Sequence, residues 1–427
     1  MRREDSGLDF NQATFQYLRH AGFSLARGMT VATMLQGHLG AILRLCLVSL
    51  ASFFLLASVA PASAQGHPPL AIGAAAPDFN LPGVDGKNHK LADYSKAKVL
   101  VIVMQSDHAP ESQLYEARIR KIFRDYRDKG VAVVAISPDN PDAVPLSEMA
   151  YTDLGDSLDD MKASAEYRHI DWPYLYDGDQ QVVATALGAS AIPEIFIFDQ
   201  ARKLQYRGRI DDNRDESQVK SRDARNVIEA LLAGQPVPVG STEARGVAIA
   251  WASNSVETKQ ELARIEAEPV SVALASKEEL GKLRTNTTGK YLLINFWATW
   301  CGPCVGEFPD LQQTFRMYRQ RDFAFVTVSE NDPDEKKGVL EFLQKEHATG
   351  PNLLFIDSDV YAMQAAFDPA TPGAVPFTLL LAPNGDVLYQ QTGDLDIQKV
   401  RRAILANLPD TEQYPGEQAY WANKASQ

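Results

Sequence analysis

The stretch YLLINFWATWCGPCV, running from Tyr291 to Val305, decides the fold. Its first part is an apolar run that reads as a strand. Trp300-Cys301-Gly302-Pro303-Cys304 follows, and an amphipathic helical pattern opens at Val305. The order is therefore strand, Cys-x-x-Cys, helix. Two thiols three positions apart at a helix N-terminus can close on each other, and the unpaired amides and positive dipole end of that helix favour the thiolate of the first. Cys301 is the expected nucleophile, Cys304 the resolving thiol, and the two together a redox disulfide. A structural zinc site built on the same motif needs about four Cys or His ligands. Only one histidine, His347, lies beyond it, so redox chemistry is favoured and neither metal nor cofactor is expected.

The chain has 427 residues, 45% of them hydrophobic and 23% charged, which leaves room for two domains of ordinary size. A net charge of -13 argues against nucleic acid or an anionic membrane surface as a partner held by bulk electrostatics. Residues Ala41 to Ala60 form an apolar core, followed by PASAQG at Pro61 to Gly66. This reads as a signal peptide cut after Ala64, with Gln65 first in the mature chain. The leader is long, so Met29 or Met34 is a candidate start, with Arg44 as the charged flank. The alternative is an uncleaved membrane anchor. Cleavage would remove Cys46 and leave Cys301 and Cys304 as the whole thiol content. An exported, periplasmic protein of this kind meets an oxidising compartment without soluble NADPH.

From Ala76 the chain alternates strand-like and helix-like pieces, and does so twice. The first half gives apolar Lys98 to Gln105, helical Pro110 to Lys129, apolar Val131 to Ser137, helical Leu158 to Arg168, a hairpin from Ile195 to Ile210 and a helix from Ser217 to Leu232. The second gives the Tyr291 strand, a helix to Gln320, apolar Phe323 to Ser329, a helix over Lys336 to Glu346, apolar Leu353 to Ile356, a hairpin turned at Pro383-Asn384-Gly385-Asp386, and a helix over Asp396 to Asn407. Each half places a proline just before its hairpin, Pro193 and Pro376. The expected fold is α/β, with two tandem thioredoxin-fold domains, each a central mixed sheet flanked by helices. Thioredoxin folds hold a cis-proline facing the Cys-x-x-Cys at this place.

Gly289 to Asp394, with NFWATWCGPC, Glu307, Pro309 and the VPFTLLLAPNGDVLY hairpin, resembles the TlpA-type thioredoxins of exported disulfide chemistry. Leu70 to about Trp251, with APDFNLPGVDGK, GVAVVAISPDN and RGRIDDN, resembles a redoxin or peroxiredoxin-like domain of the AhpC/TSA type. The expected layout is 1–64 leader and signal, 65–236 redoxin-like domain, 237–284 connector, 285–410 catalytic domain and 411–427 tail.

The first domain departs from its family where chemistry would sit. Relatives commonly carry a TCNHCP-like run after the first strand. Here it is Gln105-Ser106-Asp107-His108-Ala109-Pro110, with serine and alanine at the cysteine positions. A third family cysteine is matched by Val247 in Gly246 to Trp251. Peroxide or disulfide chemistry is therefore not expected in this domain, because an alcohol lacks an accessible thiolate. Asp107, His108 and Glu111 suit helix caps and dipole partners better than metal ligands.

The resemblance implies further roles around the dithiol. Asn295 stands where ordinary thioredoxin has a buried aspartate, and Glu307, three residues after Cys304, is expected to move protons. Trp297 reads as core and Trp300 as a border of the exposed sulfur. Trp300, Val375 and Pro376 are candidate substrate-binding residues, Val375 by lending backbone groups to a substrate strand. The expected activity is reduction of protein disulfides, with electrons from a membrane thiol donor, because a Gly-Pro insert resembles thioredoxin, whose potential is about -270 mV. The alternatives are a redox-sensing or partner-binding protein without enzymatic activity, and a thiol peroxidase acting through Cys301.

Overall fold

The computed structural model describes residues 67–371 and 373–425. The expected signal segment, its cleavage point and Cys46 lie outside the described residues. No helix among the described residues is long and apolar enough to cross a membrane.

Residues 99–104, VLVIVM, are apolar at every position and buried at every position. Such a run suits a strand covered on both faces. Val99–Met104 lies at the centre of a five-stranded sheet, parallel to Val131–Ser137 on one side and antiparallel to Glu194–Phe198 on the other. Tyr174–Tyr176 and Leu204–Gly208 complete the edges. The second sheet repeats the arrangement. Tyr291–Trp297 runs parallel to Phe323–Ser329 and antiparallel to Phe377–Leu381, with Asn352–Phe355 and Val387–Thr392 further out. Both sheets are mixed, and helices pack on their faces.

Each central strand feeds a 17-residue helix, Pro110–Tyr126 in the first half and Gly302–Tyr318 in the second. In the latter, Cys304, Phe308, Leu311 and Tyr318 lie on the buried face at helical spacing. Pro303 occupies the first turn, where a missing N–H costs nothing. Pro309 interrupts the hydrogen-bond ladder, yet the helix continues to Tyr318. The second hairpin turns where expected: Gly385 adopts φ +86°, a conformation that favours glycine, and the Ala382 amide bonds the Asp386 carbonyl at 2.8 Å. Both expected prolines follow cis peptide bonds, Ile192-Pro193 and Val375-Pro376.

Two expectations need correction. The stretch 237–284, expected to be a connector, supplies Ala273–Ala275 as a sixth strand of the second sheet, parallel to Asn352–Phe355. Lys277–Arg284 follows it as a helix with a Ser276 and Glu279 capping box. The stretch 411–427 is not a loose tail. Its helix Glu417–Ala425 packs against Ile397–Asn407 and reaches the first domain, where Tyr420 and Lys424 bond Glu116 at 2.9 and 3.2 Å. Trp421 is fully buried there.

Polar contacts between the domains are themselves buried. Tyr318 donates to the Thr152 carbonyl at 2.7 Å, Arg401 to the Asp153 carbonyl at 3.1 Å, and Arg321 to the Ala150 carbonyl at 3.0 Å. Arg402 pairs with the Asp153 carboxylate at 2.6 Å. Because each would be left unsatisfied in a different packing that kept it buried, they favour one mutual arrangement.

Candidate active site

The central strand of the second sheet ends at Trp297, and the chain turns through Ala298, Thr299 and Trp300 to Cys301, the N-cap of the Gly302–Tyr318 helix. The Cys304 amide donates to Cys301 Sγ at 3.3 Å. An N-terminal amide thus points at the first sulfur, the arrangement that stabilises a thiolate. Cys301 and Cys304 are joined in a disulfide. Cys304 is fully buried and Cys301 is 6% exposed, whereas Trp300 beside it is 62% exposed. The sulfurs rest on an apolar cluster of Trp297, Phe308, Val339, Leu343 and Leu354, with Val375 packed against its edge. Gly302 borders open space, since a Cβ there would meet no atom within 4 Å.

Val375 and Pro376 thus lie on the dithiol side of the second domain. The Pro376 carbonyl accepts the Gly393 amide at 2.9 Å, while no hydrogen bond engages the Val375 backbone among the described residues.

Glu307 occupies the second turn of the helix. Its Oε1 accepts from Asn295 Nδ2 at 3.3 Å and its Oε2 from the Leu395 amide at 3.2 Å. Asn295 is held in turn by a 3.1 Å bond to Thr378 Oγ1, its partner across the antiparallel register. Burial pushes the Glu307 carboxyl up to about 7, against the lowering effect of these two hydrogen bonds. The carboxyl is thus poised near neutrality.

Sequence reasoning missed two residues. Glu330 follows the Phe323–Ser329 strand, its amide donates to the Trp297 carbonyl at 2.8 Å, and burial pushes its carboxyl up to about 7. Asn331 is buried; its Oδ1 accepts the Thr299 amide at 2.9 Å and its Nδ2 donates to Thr299 Oγ1 at 2.7 Å. It therefore fixes the turn that delivers Trp300 and Cys301. The available signal was the polar run Ser329-Glu330-Asn331 at the carboxyl end of an apolar strand, where α/β folds place their sites.

In the first domain the corresponding loop contradicts the capping expectation. The N-cap of Pro110–Tyr126 is Ala109, which makes no side-chain cap bond. Asp107 and His108 are instead fully buried, Asp107 paired with Arg168 at 3.4 Å and His108 with Asp156 at 2.5 Å. Glu111 does lie in the first turn, 3.6 Å from Arg214.

Residues 72–207 match the AhpC/TSA family, and residues 234–404 match the Redoxin family. The chain carries two redoxin/AhpC-TSA thioredoxin-fold domains in tandem. It is 29% identical over 116 residues to the thiol-disulfide oxidoreductase ResA of Geobacillus kaustophilus, a match covering 27% of this chain and 62% of that protein. It is 30% identical over 107 residues to ResA of Bacillus subtilis, covering 25% and 55%. The chain thus spans somewhat over half the length of these curated relatives. Among solved structures, an uncharacterized conserved protein from Geobacillus kaustophilus is 33% identical with a TM-score of 0.38, covering 42% of this chain and 92% of that one.

Proposed function

We propose that this protein is an exported thiol-disulfide oxidoreductase that reduces protein disulfides through Cys301 and Cys304. The observation that carries the reading is the Cys301 sulfur at the helix N-cap, receiving the Cys304 amide, slightly exposed beside Trp300 and backed by apolar side chains. In the reduced enzyme the Cys301 thiolate attacks one sulfur of a substrate disulfide. A mixed disulfide forms as the substrate S–S bond breaks, and the departing substrate thiolate takes up a proton. Cys304 then loses its proton and attacks Cys301 Sγ, forming the intramolecular disulfide and expelling the second substrate thiolate. Glu307, held near neutrality by burial, is the acceptor for the Cys304 proton. Two electrons pass to the substrate, and a membrane thiol donor resets the dithiol. Trp300, Val375 and Pro376 border the substrate, with the Val375 backbone able to pair with an extended segment. The first domain contributes recognition.

The test is direct. The chemically reduced full chain, mixed with a small aromatic disulfide, should release the coloured thiol with loss of both protein thiols, and Cys304→Ser should stall as a mixed disulfide on Cys301. Failure of the reduced protein to exchange with any small or protein disulfide would overturn the reading.

A further inference from the structure

The loop that replaces a dithiol in the first domain is built around His108. Its Nδ1 lies 2.5 Å from Asp156 Oδ2 and 3.6 Å from Asp139 Oδ2, and its Nε2 lies 3.0 Å from Glu148 Oε2. His108, Asp139 and Asp156 are fully buried, and their three converging atoms lie within 4.8 Å of one another. We propose that His108 Nδ1, Asp139 Oδ2 and Asp156 Oδ2 form a binding site for a divalent transition-metal cation of the zinc type.

The outer atoms of each side chain support this. Asp156 Oδ1 accepts the Asp107 amide at 2.8 Å, and Asp139 Oδ1 accepts the Ala250 amide at 2.7 Å. Each carboxylate is thus oriented by one oxygen and presents the other inward. Glu148 accepts from the opposite ring nitrogen at 3.0 Å, so a bound cation would take the place of the Nδ1 proton and leave Nε2 protonated toward Glu148. Carboxylate support behind a ligating histidine is the usual second layer of a zinc site. Asp139 Oδ2, buried and aimed at the ring, makes no hydrogen bond. A lone pair facing two buried carboxylates is repulsive unless a positive charge lies between them, and a divalent ion balances both.

The donor set selects the ion. One imidazole nitrogen with two carboxylate oxygens suits first-row divalent cations, whereas calcium and magnesium prefer oxygen alone. Tetrahedral zinc with bonds of about 2.0–2.2 Å separates its ligand atoms by roughly 3.3–3.5 Å. Asp139 already stands near that spacing from Nδ1. Asp156 reaches it by opening about 0.8 Å from its bond with the ring. Behind the ring, Glu148 also lines a cavity of about 470 Å³ together with Tyr151, Arg321, Asp322, Asp410 and Tyr414.

The proposal is independent of the disulfide chemistry, and so is its test. The full chain, stripped with a chelator and kept with Cys301 and Cys304 oxidised so that no thiolate competes, is titrated calorimetrically with Zn2+, and with Co2+ for a visible spectrum. One equivalent of Zn2+ should bind, Mg2+ should not replace it, and Asp139→Asn should weaken binding at least tenfold. That variant keeps an oxygen for the Ala250 amide, and His89→Gln serves as the surface control with unchanged stoichiometry. Should Asp139→Asn fail to fold, the wild-type Co2+ spectrum decides: an intense visible band saturating at one equivalent supports the site. Absence of that band, of stoichiometric Zn2+ uptake, or of any difference between folded Asp139→Asn and wild type would overturn the proposal and leave a protonated His108 as the balancing charge.

Discussion

The two domains hand a buried central strand to a 17-residue helix in the same way, flanked by the same parallel and antiparallel neighbours. At that junction their chemistry parts. The second domain buries both sulfurs against Trp297, Phe308, Val339 and Leu343, leaving only Cys301 slightly exposed. The first packs Asp107, His108, Asp139, Asp156 and Arg168 together out of water. An apolar backing leaves a dithiol free to change its bonding, because nothing around it requires a fixed charge. A buried ionic cluster does the opposite, since every charge depends on its neighbours. The fold positions a junction, and the residues placed there decide whether it reacts.

The sharpest way to break this contrast is Cys301→Ser, which should abolish disulfide exchange in the whole chain. Residual turnover above background in a stopped-flow thiol-release assay would mean the first domain is not inert. Next in size is Trp421→Ala. The buried indole joins the two halves, packing in the second domain's core with the Arg168 guanidinium 5.5 Å from its ring. Its loss should cost about 3–5 kcal/mol in denaturant unfolding, and calorimetry should then resolve two transitions. Unaltered cooperativity would show the domains to be coupled elsewhere.

Glu307→Gln should slow exchange several-fold near neutral pH and remove an inflection near pH 7 from the pH-rate profile. The same carboxyl shapes stability. Held at about 7 when folded against 4.5 for the ordinary group, it binds more protons folded than unfolded between those values. Its contribution is therefore present below about 4.5 and declines as pH rises through 7. The Gln variant should lose that decline in urea titrations, while a profile identical to wild type would remove Glu307 from proton transfer. The smallest effect is expected from Asn331→Ala. Freeing the Thr299 turn should cost about 1–2 kcal/mol and lower kcat a few-fold, with restoration by Asn331→Asp at the amide-accepting side. Unchanged kinetics would make Asn331 merely structural.

Most of the scaffold was legible because its signals are local. Apolar runs, the Asn384-Gly385 turn and the prolines ahead of each hairpin all lie within a few residues of what they determine. Long-range partners were not. Ala273–Ala275 is too short to carry a strand pattern and is defined by pairing with Asn352–Phe355. The last helix reads as polar until Tyr420 and Lys424 meet Glu116, some 300 positions earlier, at separations of 304 and 308. His108 likewise resembles a helix-start residue in sequence, and only folding brings Asp156, 48 positions away, against its ring. Glu307 stands out in the sequence through the family resemblance and its place after Cys304, whereas Glu330 needed the sheet, which sets it beside Trp297.

Gly302 stands between the cysteines with nothing near its absent side chain. Glycine there is not demanded by crowding, and it sits at the first helical position rather than in the helix interior. A Cβ could be added there without meeting another atom, and a charge carried on it would act on the adjacent sulfur through space. The tendency of this dithiol to give or take electrons is therefore an adjustable setting, separable from the assembly that carries it, and mutation at one open position could retune the sulfur pair while leaving its architecture untouched.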